Sequence, residues 1–263
     1  MFTLTVHNSW FPGEEYGKLE LARQQGFKAI EILNWAHLDL KRLRGEIDRT
    51  GVAVSAILFH ASDPAKQALI ANTHGIVHAD AKDAFVTAIR ETIAAAQVLG
   101  CTNIVVTTGN EIAGVPRAEQ HARVVAALRA AAPLAEAAGI QLVLEPLNIL
   151  VNHMGYYLTT TAESVAVIEE VGSPMVKVLY DVYHQQITEG NLINNIRTNI
   201  RHIGHIHVGD VPGRKQPGTG EINYKNVFKA IRDTGFTGFV VFECGLTEPV
   251  EVVCPKMWAL LED

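Results

Sequence analysis

The sequence has few cysteines, and nothing in their positions pairs them. It contains three in 263 residues, Cys101, Cys244 and Cys254, and none belongs to a Cys-x-x-Cys motif. A disulfide framework depends on an even number of cysteines at regular spacings, usually in a secreted chain. The pattern therefore argues against a disulfide-dependent fold, and we expect a protein of a reducing compartment, the cytoplasm.

Excess basic charge and long apolar runs are also missing. The chain has 22 Lys and Arg against 28 Asp and Glu, a formal net charge of −6, whereas nucleic-acid binding needs a basic surface. Apolar stretches such as 139–147 and 238–242 are too short to span a bilayer, and the first ten residues lack the features of a secretory signal. We expect a small-molecule substrate and neither a nucleic-acid nor a membrane partner; a homo-oligomer is left open.

Short apolar, β-branched runs do recur, and helical patterns alternate with them. The predicted strands are 2–6, 29–33, 52–58, 103–108, 140–145, 176–181, 203–208 and 238–243. The predicted helices lie at about 14–25, 38–49, 79–99, 117–138, 161–171, 190–200, 223–233 and 248–261. Eight such alternations predict an α/β fold, a (β/α)8 TIM barrel forming a single domain over residues 1–263.

The pattern leaves open one alternative fold and the structure of one segment. A doubly wound open sheet is the other fold to consider, but the turn after the first strand has no Gly-x-Gly-x-x-Gly motif. Residues 59–78 show no clear periodicity, so we expect either a lid or an exposed connection there.

Polar side chains stand where most of the predicted strands end. They are His7, Asn34, His60, Glu145, Asp181, His207 and Glu243. In a barrel these positions face one mouth, where such enzymes keep their chemistry. Three buried carboxylates at one mouth would repel each other unless a cation lies among them. Glu145, Asp181, His207 and Glu243 therefore predict a divalent metal site.

The same residues also have ordinary interpretations. Each glutamate taken alone is typical of a solvated strand end, and Asp181 is typical of a helix or turn cap. His205 alternates with His207, and we assign the site to His207 because it lies closer to the carboxyl end of its strand. The coincidence of metal-type residues on four consecutive strands favours the metal site. One imidazole among oxygen ligands favours Mn²⁺, Mg²⁺ or Co²⁺ over structural zinc.

Several motifs make the sequence familiar. They are LEPLN (144–148), YDVYHQQITEGN (180–191), HIHVGDVPGRKQPGTGEINY (205–224) and VFECG (241–245). The sequence resembles the hydroxypyruvate isomerases of the xylose-isomerase-like TIM barrel superfamily, which also includes the D-tagatose/D-psicose 3-epimerases and endonuclease IV. The resemblance covers nearly the whole chain.

The resemblance implies roles for six residues. It makes Glu145, Asp181, His207 and Glu243 the metal ligands, Glu145 and Glu243 also the catalytic acid/base pair, and His184 and Arg214 substrate-binding residues. Two positions depart from the pattern. Val151 stands where the ketose 3-epimerases carry a substrate-binding Glu, and His207 stands where some hydroxypyruvate isomerases carry Gln.

The leading hypothesis is a metal-dependent isomerase of small α-hydroxycarbonyl acids in carbohydrate metabolism. It would act through an enediolate, as in the conversion of hydroxypyruvate to tartronate semialdehyde. A ketose or sugar-acid 3-epimerase is the alternative. An endonuclease IV-like phosphodiesterase is less favoured, because the acidic net charge counts against a DNA-binding face.

Overall fold

Nine parallel strands form one sheet that is nearly closed into a barrel, in a computed structural model that describes residues 1–71 and 73–262. The strands are β1 Thr3–His7, β2 Ala29–Glu31, β3 Ala53–Val54, β4 Ile57–Leu58, β5 Asn103–Val106, β6 Gln141–Leu144, β7 Val176–Asp181, β8 Ile203–Val208 and β9 Phe239–Phe242. Their order is β3-β2-β1-β9-β8-β7-β6-β5-β4. The predicted TIM barrel is confirmed.

The predicted strand 52–58 is where the strand count differs from eight. It forms both β3 and β4, and the chain changes partner between them, because β3 pairs with β2 whereas β4 pairs with β5. The N–H of Ile32 still donates to the carbonyl of Ala56 (3.3 Å), and the N–H of Phe59 donates to the carbonyl of Val105 (3.2 Å). The segment thus hydrogen-bonds to both neighbours and joins the two ends of the sheet.

Helices surround the barrel and connect its strands. Those in the described ranges are α1 Lys18–Gln24, α2 Leu40–Thr50, α3 Pro64–Ile70, α4 Lys82–Leu99, α5 Arg117–Ala138, α6 Thr161–Val171, α7 Val182–Thr188, α8 Leu192–Asn199, α9 Tyr224–Asp233 and α10 Val250–Ala259. None of these helices is both long and apolar enough to cross a bilayer.

Two of these helices, α3 and α7, were not predicted. Each has seven residues, which is too short for a clear periodicity, and each begins after an aspartate that caps it. Asp63 accepts the N–H of Ala65 before α3, and Asp181 accepts the N–H groups of two α7 residues. Helix α3 lies inside 59–78, so part of that connection is regular; residue 72 lies outside the described residues.

An apolar layer of side chains fills the barrel interior below its mouth. Ala56, Val105, Val143 and Leu179 form a buried cluster that is separate from the larger core between strands and helices. Successive side chains of a strand point to opposite faces, so the residue two positions further along faces inward as well. Glu145 follows Val143 in this way, and Asp181 follows Leu179. The pleat therefore directs both carboxylates into the mouth above the apolar layer.

The apolar layer predicts the effect of a truncation. Leu179→Ala should lower the free energy of unfolding by about 2–5 kcal/mol, because it removes a fully buried side chain from a packed cluster. Urea unfolding followed by circular dichroism measures the change. Leu150→Ala is the matched control, since Leu150 is 71% exposed and its loss should change stability little. Equal effects of the two substitutions would contradict this description of the interior.

Candidate active site

The four predicted metal ligands meet at the carboxyl ends of strands β6 to β9. Strand register places Asp181 beside His207 and His207 beside Val241, two residues before Glu243. Each of the four residues offers one ligand atom, and these atoms all lie within 4.8 Å of one another. The side chains of Asp181 and His207 are 1% exposed, that of Glu145 9% and that of Glu243 21%. The fold thus brings together residues from four separate parts of the sequence.

The donor set fits a divalent cation. His207 Nδ1 lies 3.0 Å from a Glu243 oxygen and 3.6 Å from a Glu145 oxygen, yet this buried atom makes no hydrogen bond within the described part of the chain. Burial raises the pKa of Glu145 to about 7, so its surroundings do not fully stabilise the carboxylate. An ion among three carboxylate groups and one imidazole would satisfy all four groups.

Arg214 lies at the edge of this cluster. Its Nη2 is 2.6 Å from a Glu243 oxygen and 3.4 Å from an Asp181 oxygen, and its guanidinium lies 5.3 Å from the ring centre of Tyr183. Burial alone would lower the pKa of Arg214, but the carboxylates of Glu243 and Asp181 outweigh burial and raise it. Arg214 therefore keeps a permanent positive charge beside the ligand group.

The loop after β8 that carries Arg214 is organised by Asp210, which sequence reasoning missed. The carboxylate of Asp210 accepts N–H groups of Val211, Gly218, Gly220 and Ile222 at distances of 2.8–3.2 Å. A Cβ on Gly220 would lie 2.0 Å from the carbonyl oxygen of Val211, so only glycine fits there. The available signal was an Asp in an HVGD sequence followed by a glycine-rich turn.

His184 approaches the cluster from α7. Its Nδ1 contacts Asn148 Nδ2 at 2.6 Å and accepts the backbone N–H of Asn148 at 3.2 Å. Its Nε2 points towards an Asp181 oxygen 3.6 Å away and has no hydrogen-bond partner among the described residues. Burial lowers the pKa of His184 to about 4, so the imidazole is neutral at pH 7. Because Nδ1 accepts a hydrogen bond, the proton of the neutral ring is assigned to Nε2. His184 thus presents an unused Nε2–H group at the edge of the site.

Glu31 is the second residue that sequence reasoning missed. It ends β2, is fully buried, and lies within hydrogen-bond distance of two imidazoles, those of His205 and His207. The signal was a charged residue inside the apolar run AIEIL, where a buried carboxylate must find partners. His205, which the sequence analysis left out of the metal site, hydrogen-bonds to Glu31.

The other strand-end residues stay outside the ligand group. His7 contacts Ser9 through Nδ1 at 2.8 Å, Asn34 is exposed, and His60 packs edge-on against Trp35. Of the seven strand-end residues, the structure thus unites only the four from β6 to β9.

Sequence similarity places the chain among known proteins. A family model described as xylose isomerase-like TIM barrel matches residues 19–252. The hydroxypyruvate isomerase of Escherichia coli (strain K12) is 32% identical over 224 residues, which cover 85% of this chain and 84% of that protein. The 2-oxo-tetronate isomerase of Cupriavidus necator is 32% identical over 220 residues, which cover 83% of this chain and 82% of that protein.

Structural similarity agrees with this placement. A solved L-ribulose 3-epimerase matches with a TM-score of 0.78 at 28% identity, over 100% of this chain and 88% of that chain. The relatives confirm the predicted family and the prediction that the chain is an isomerase. The chain belongs to the xylose isomerase-like TIM barrel family, and its relatives there include proteins named hydroxypyruvate isomerase and 2-oxo-tetronate isomerase.

Proposed function

We propose that this chain is a metal-dependent isomerase of small α-hydroxycarbonyl acids, with hydroxypyruvate and tartronate semialdehyde as a representative pair. The observation that carries the proposal is the group of Glu145, Asp181, His207 and Glu243, with the cationic Arg214 beside it. We assign these four residues as metal ligands, with Mn²⁺, Mg²⁺ or Co²⁺ as the ion. The relatives named for hydroxypyruvate and 2-oxo-tetronate isomerisation support the substrate class.

The reaction moves protons within one substrate. A divalent ion bound at this site supplies Lewis acidity that favours an enediolate over the carbonyl form. Glu145 and Glu243 extend from β6 and β9, so their carboxylates approach the site from different parts of the barrel wall. We propose that one takes the α-carbon proton, leaving the electron pair in the enediolate double bond. A carboxylic acid then protonates the neighbouring carbon, while a hydroxyl proton moves between the two oxygens.

Arg214 and His184 are proposed to bind the substrate. A guanidinium forms two parallel hydrogen bonds with a carboxylate, so Arg214 suits the acid group of the substrate. The neutral imidazole of His184 offers its Nε2 atom to a hydroxyl or carbonyl oxygen. These two contacts would orient a molecule of three or four carbons with its acid group at Arg214.

A ketose or sugar-acid 3-epimerase is the second candidate. The similarity to a solved L-ribulose 3-epimerase favours it. The same enediolate gives epimerisation when the proton returns to the same carbon from the opposite face. Val151 weighs against it, since this side chain is 64% exposed and lacks the carboxylate that the ketose epimerases have there. A cytoplasmic location, a single domain over residues 1–263 and a homo-oligomer stay predictions.

Metal dependence is the first test of the proposal. Prolonged chelation should abolish isomerisation of hydroxypyruvate, and added Mn²⁺, Mg²⁺ or Co²⁺ should restore it. Asp181→Asn and His207→Ala should raise the metal Kd, because each removes or weakens one ligand; calorimetric titration measures this. Full activity of enzyme shown by elemental analysis to be metal-free would contradict the proposal.

Substitution of the glutamates separates proton transfer from metal binding. Glu145→Gln and Glu243→Gln keep the size and one oxygen of the side chain but remove the basic carboxylate. At saturating metal, kcat should still fall by about 10²-fold or more, the usual scale for losing a general acid or base.

Deuterated solvent provides a second measurement for the same variants. The wild type should incorporate solvent deuterium into the product, and the variant that lacks the abstracting carboxylate should not. Near wild-type turnover by both fully metallated Gln variants would exclude these roles. Complete retention of the substrate hydrogen by the wild type would instead indicate direct hydride transfer.

Substrate choice tests the role of Arg214. Small substrates with a carboxylate should have a higher kcat/KM than neutral ketohexoses. Arg214→Ala should lower kcat/KM for acids by roughly 10- to 100-fold more than for neutral ketoses, since it removes a charged hydrogen bond. The assays are run at saturating metal, with Arg214→Lys as the control that keeps the charge. If D-psicose or D-tagatose is the best substrate, the epimerase alternative is correct.

A further inference from the structure

A buried carboxylate joins two histidines beneath the proposed metal site. Glu31 Oε1 lies 2.9 Å from Nε2 of His205 and 3.1 Å from Nε2 of His207. The side chains of Glu31 and His205 are 0% exposed and that of His207 is 1% exposed. Alternation along β8 points both imidazoles inward, and β2 brings Glu31 to them from another part of the barrel wall. Strands β1 and β9 separate β2 from β8 in the sheet, so the three groups meet because the barrel wall curves.

The contact decides which nitrogen of His207 can reach a metal. A carboxylate accepts hydrogen bonds, so the Nε2 that faces Glu31 carries a proton. The other ring nitrogen, Nδ1, faces Glu145 and Glu243 and makes no hydrogen bond in the described part of the molecule. A histidine ligand commonly donates its second N–H to a carboxylate, which fixes the ring and increases the basicity of the ligating nitrogen.

We propose that Glu31 is a positioning residue that holds His207 with Nε2–H directed to its carboxylate and Nδ1 presented to the metal. This inference rests on the proposed metal site. The side chain of Glu31 is fully buried and contacts the metal site through His207, so we expect it to act through that histidine. Its effect is on the affinity and the coordination mode of the ion.

His205 completes the arrangement as a second donor. A buried carboxylate is costly unless hydrogen bonds stabilise its charge. The Nε2 of His205 supplies such a bond to the same oxygen that His207 contacts, whereas Glu31 Oε2 has no partner among the described residues. We therefore expect His205 to hold the Glu31 carboxylate in place, and the loss of His205 to weaken metal binding through Glu31.

A purely structural role for Glu31 makes different predictions. The contacts with His205 and His207 would then stabilise the barrel, and the metal Kd would not change when Glu31 is replaced. Glu170 provides a matched control, because its Oε2 accepts from Nε2 of His121 at 2.8 Å on the outer surface, with 52% of its side chain exposed. Glu170→Gln removes the same kind of carboxylate–imidazole contact away from the barrel interior.

The experiment is a titration of metal-free protein with Mn²⁺ and Co²⁺ by calorimetry. Glu31→Gln should raise the Kd by about 10- to 100-fold, the usual cost of losing such a partner. His205→Gln should raise it in the same direction, and Glu170→Gln should leave it unchanged. Thermal unfolding of each metal-free variant checks that it is folded. An unchanged Kd in folded Glu31→Gln would overturn the inference.

A measurement on the wild type needs no variant. Nitrogen-15 NMR of the protein loaded with Cd²⁺, a diamagnetic probe, should show His207 bound through Nδ1 with Nε2 still protonated. Coordination through Nε2 would overturn the inference even if Glu31→Gln failed to fold. If the wild type binds none of these ions, the proposed metal-dependent function fails instead, which distinguishes the two failures.

Discussion

Several carboxylates are buried together at the mouth of the barrel, and the arrangement of the mouth depends on how their negative charges are stabilised. Glu145, Asp181 and Glu243 converge there, and Glu31 lies buried below them. Carboxylates at such distances repel each other strongly in a medium of low polarity. Positive or proton-donating groups contact these carboxylates and stabilise them, namely His207, His205 and Arg214. A divalent ion is the group that would balance the remaining charge.

The loops around the mouth hold these groups at fixed positions. Asp210 accepts four backbone N–H groups and so shapes the turn from which Arg214 reaches Glu243 and Asp181. Asn148 shapes the loop after β6, since its Oδ1 accepts the N–H groups of Val151 and Asn152 while its side-chain amide nitrogen contacts His184. The two residues proposed to bind substrate, Arg214 and His184, thus depend on the side chains of Asp210 and Asn148 for their positions. Orientation of this kind is what an enzyme needs to place a small molecule against its carboxylates.

Strand alternation explains why sequence reasoning could find the group of residues proposed to bind metal. Glu145, Asp181, His207 and Glu243 each end or directly follow a buried apolar run, and parallel strands bring such ends to one edge. The structure confirms that Asp181 is a helix cap, because one of its oxygens caps α7, while its other oxygen faces Arg214. The helices α3 and α7 were not predicted, because a helix of seven residues is too short to show a clear hydrophobic periodicity.

The sequence by itself determined the barrel, the succession of its strands along the chain and the four strand-end residues that meet at its mouth, because these follow from hydrophobic alternation and from residue type at strand ends. Only the tertiary structure decided that segment 52–58 divides into two strands, because its hydrogen bonds go to different neighbours at its two ends. It also decided the partner of Glu31. That carboxylate stands 174 positions from His205 in the sequence, and no local pattern records a contact made only when a sheet curves round on itself.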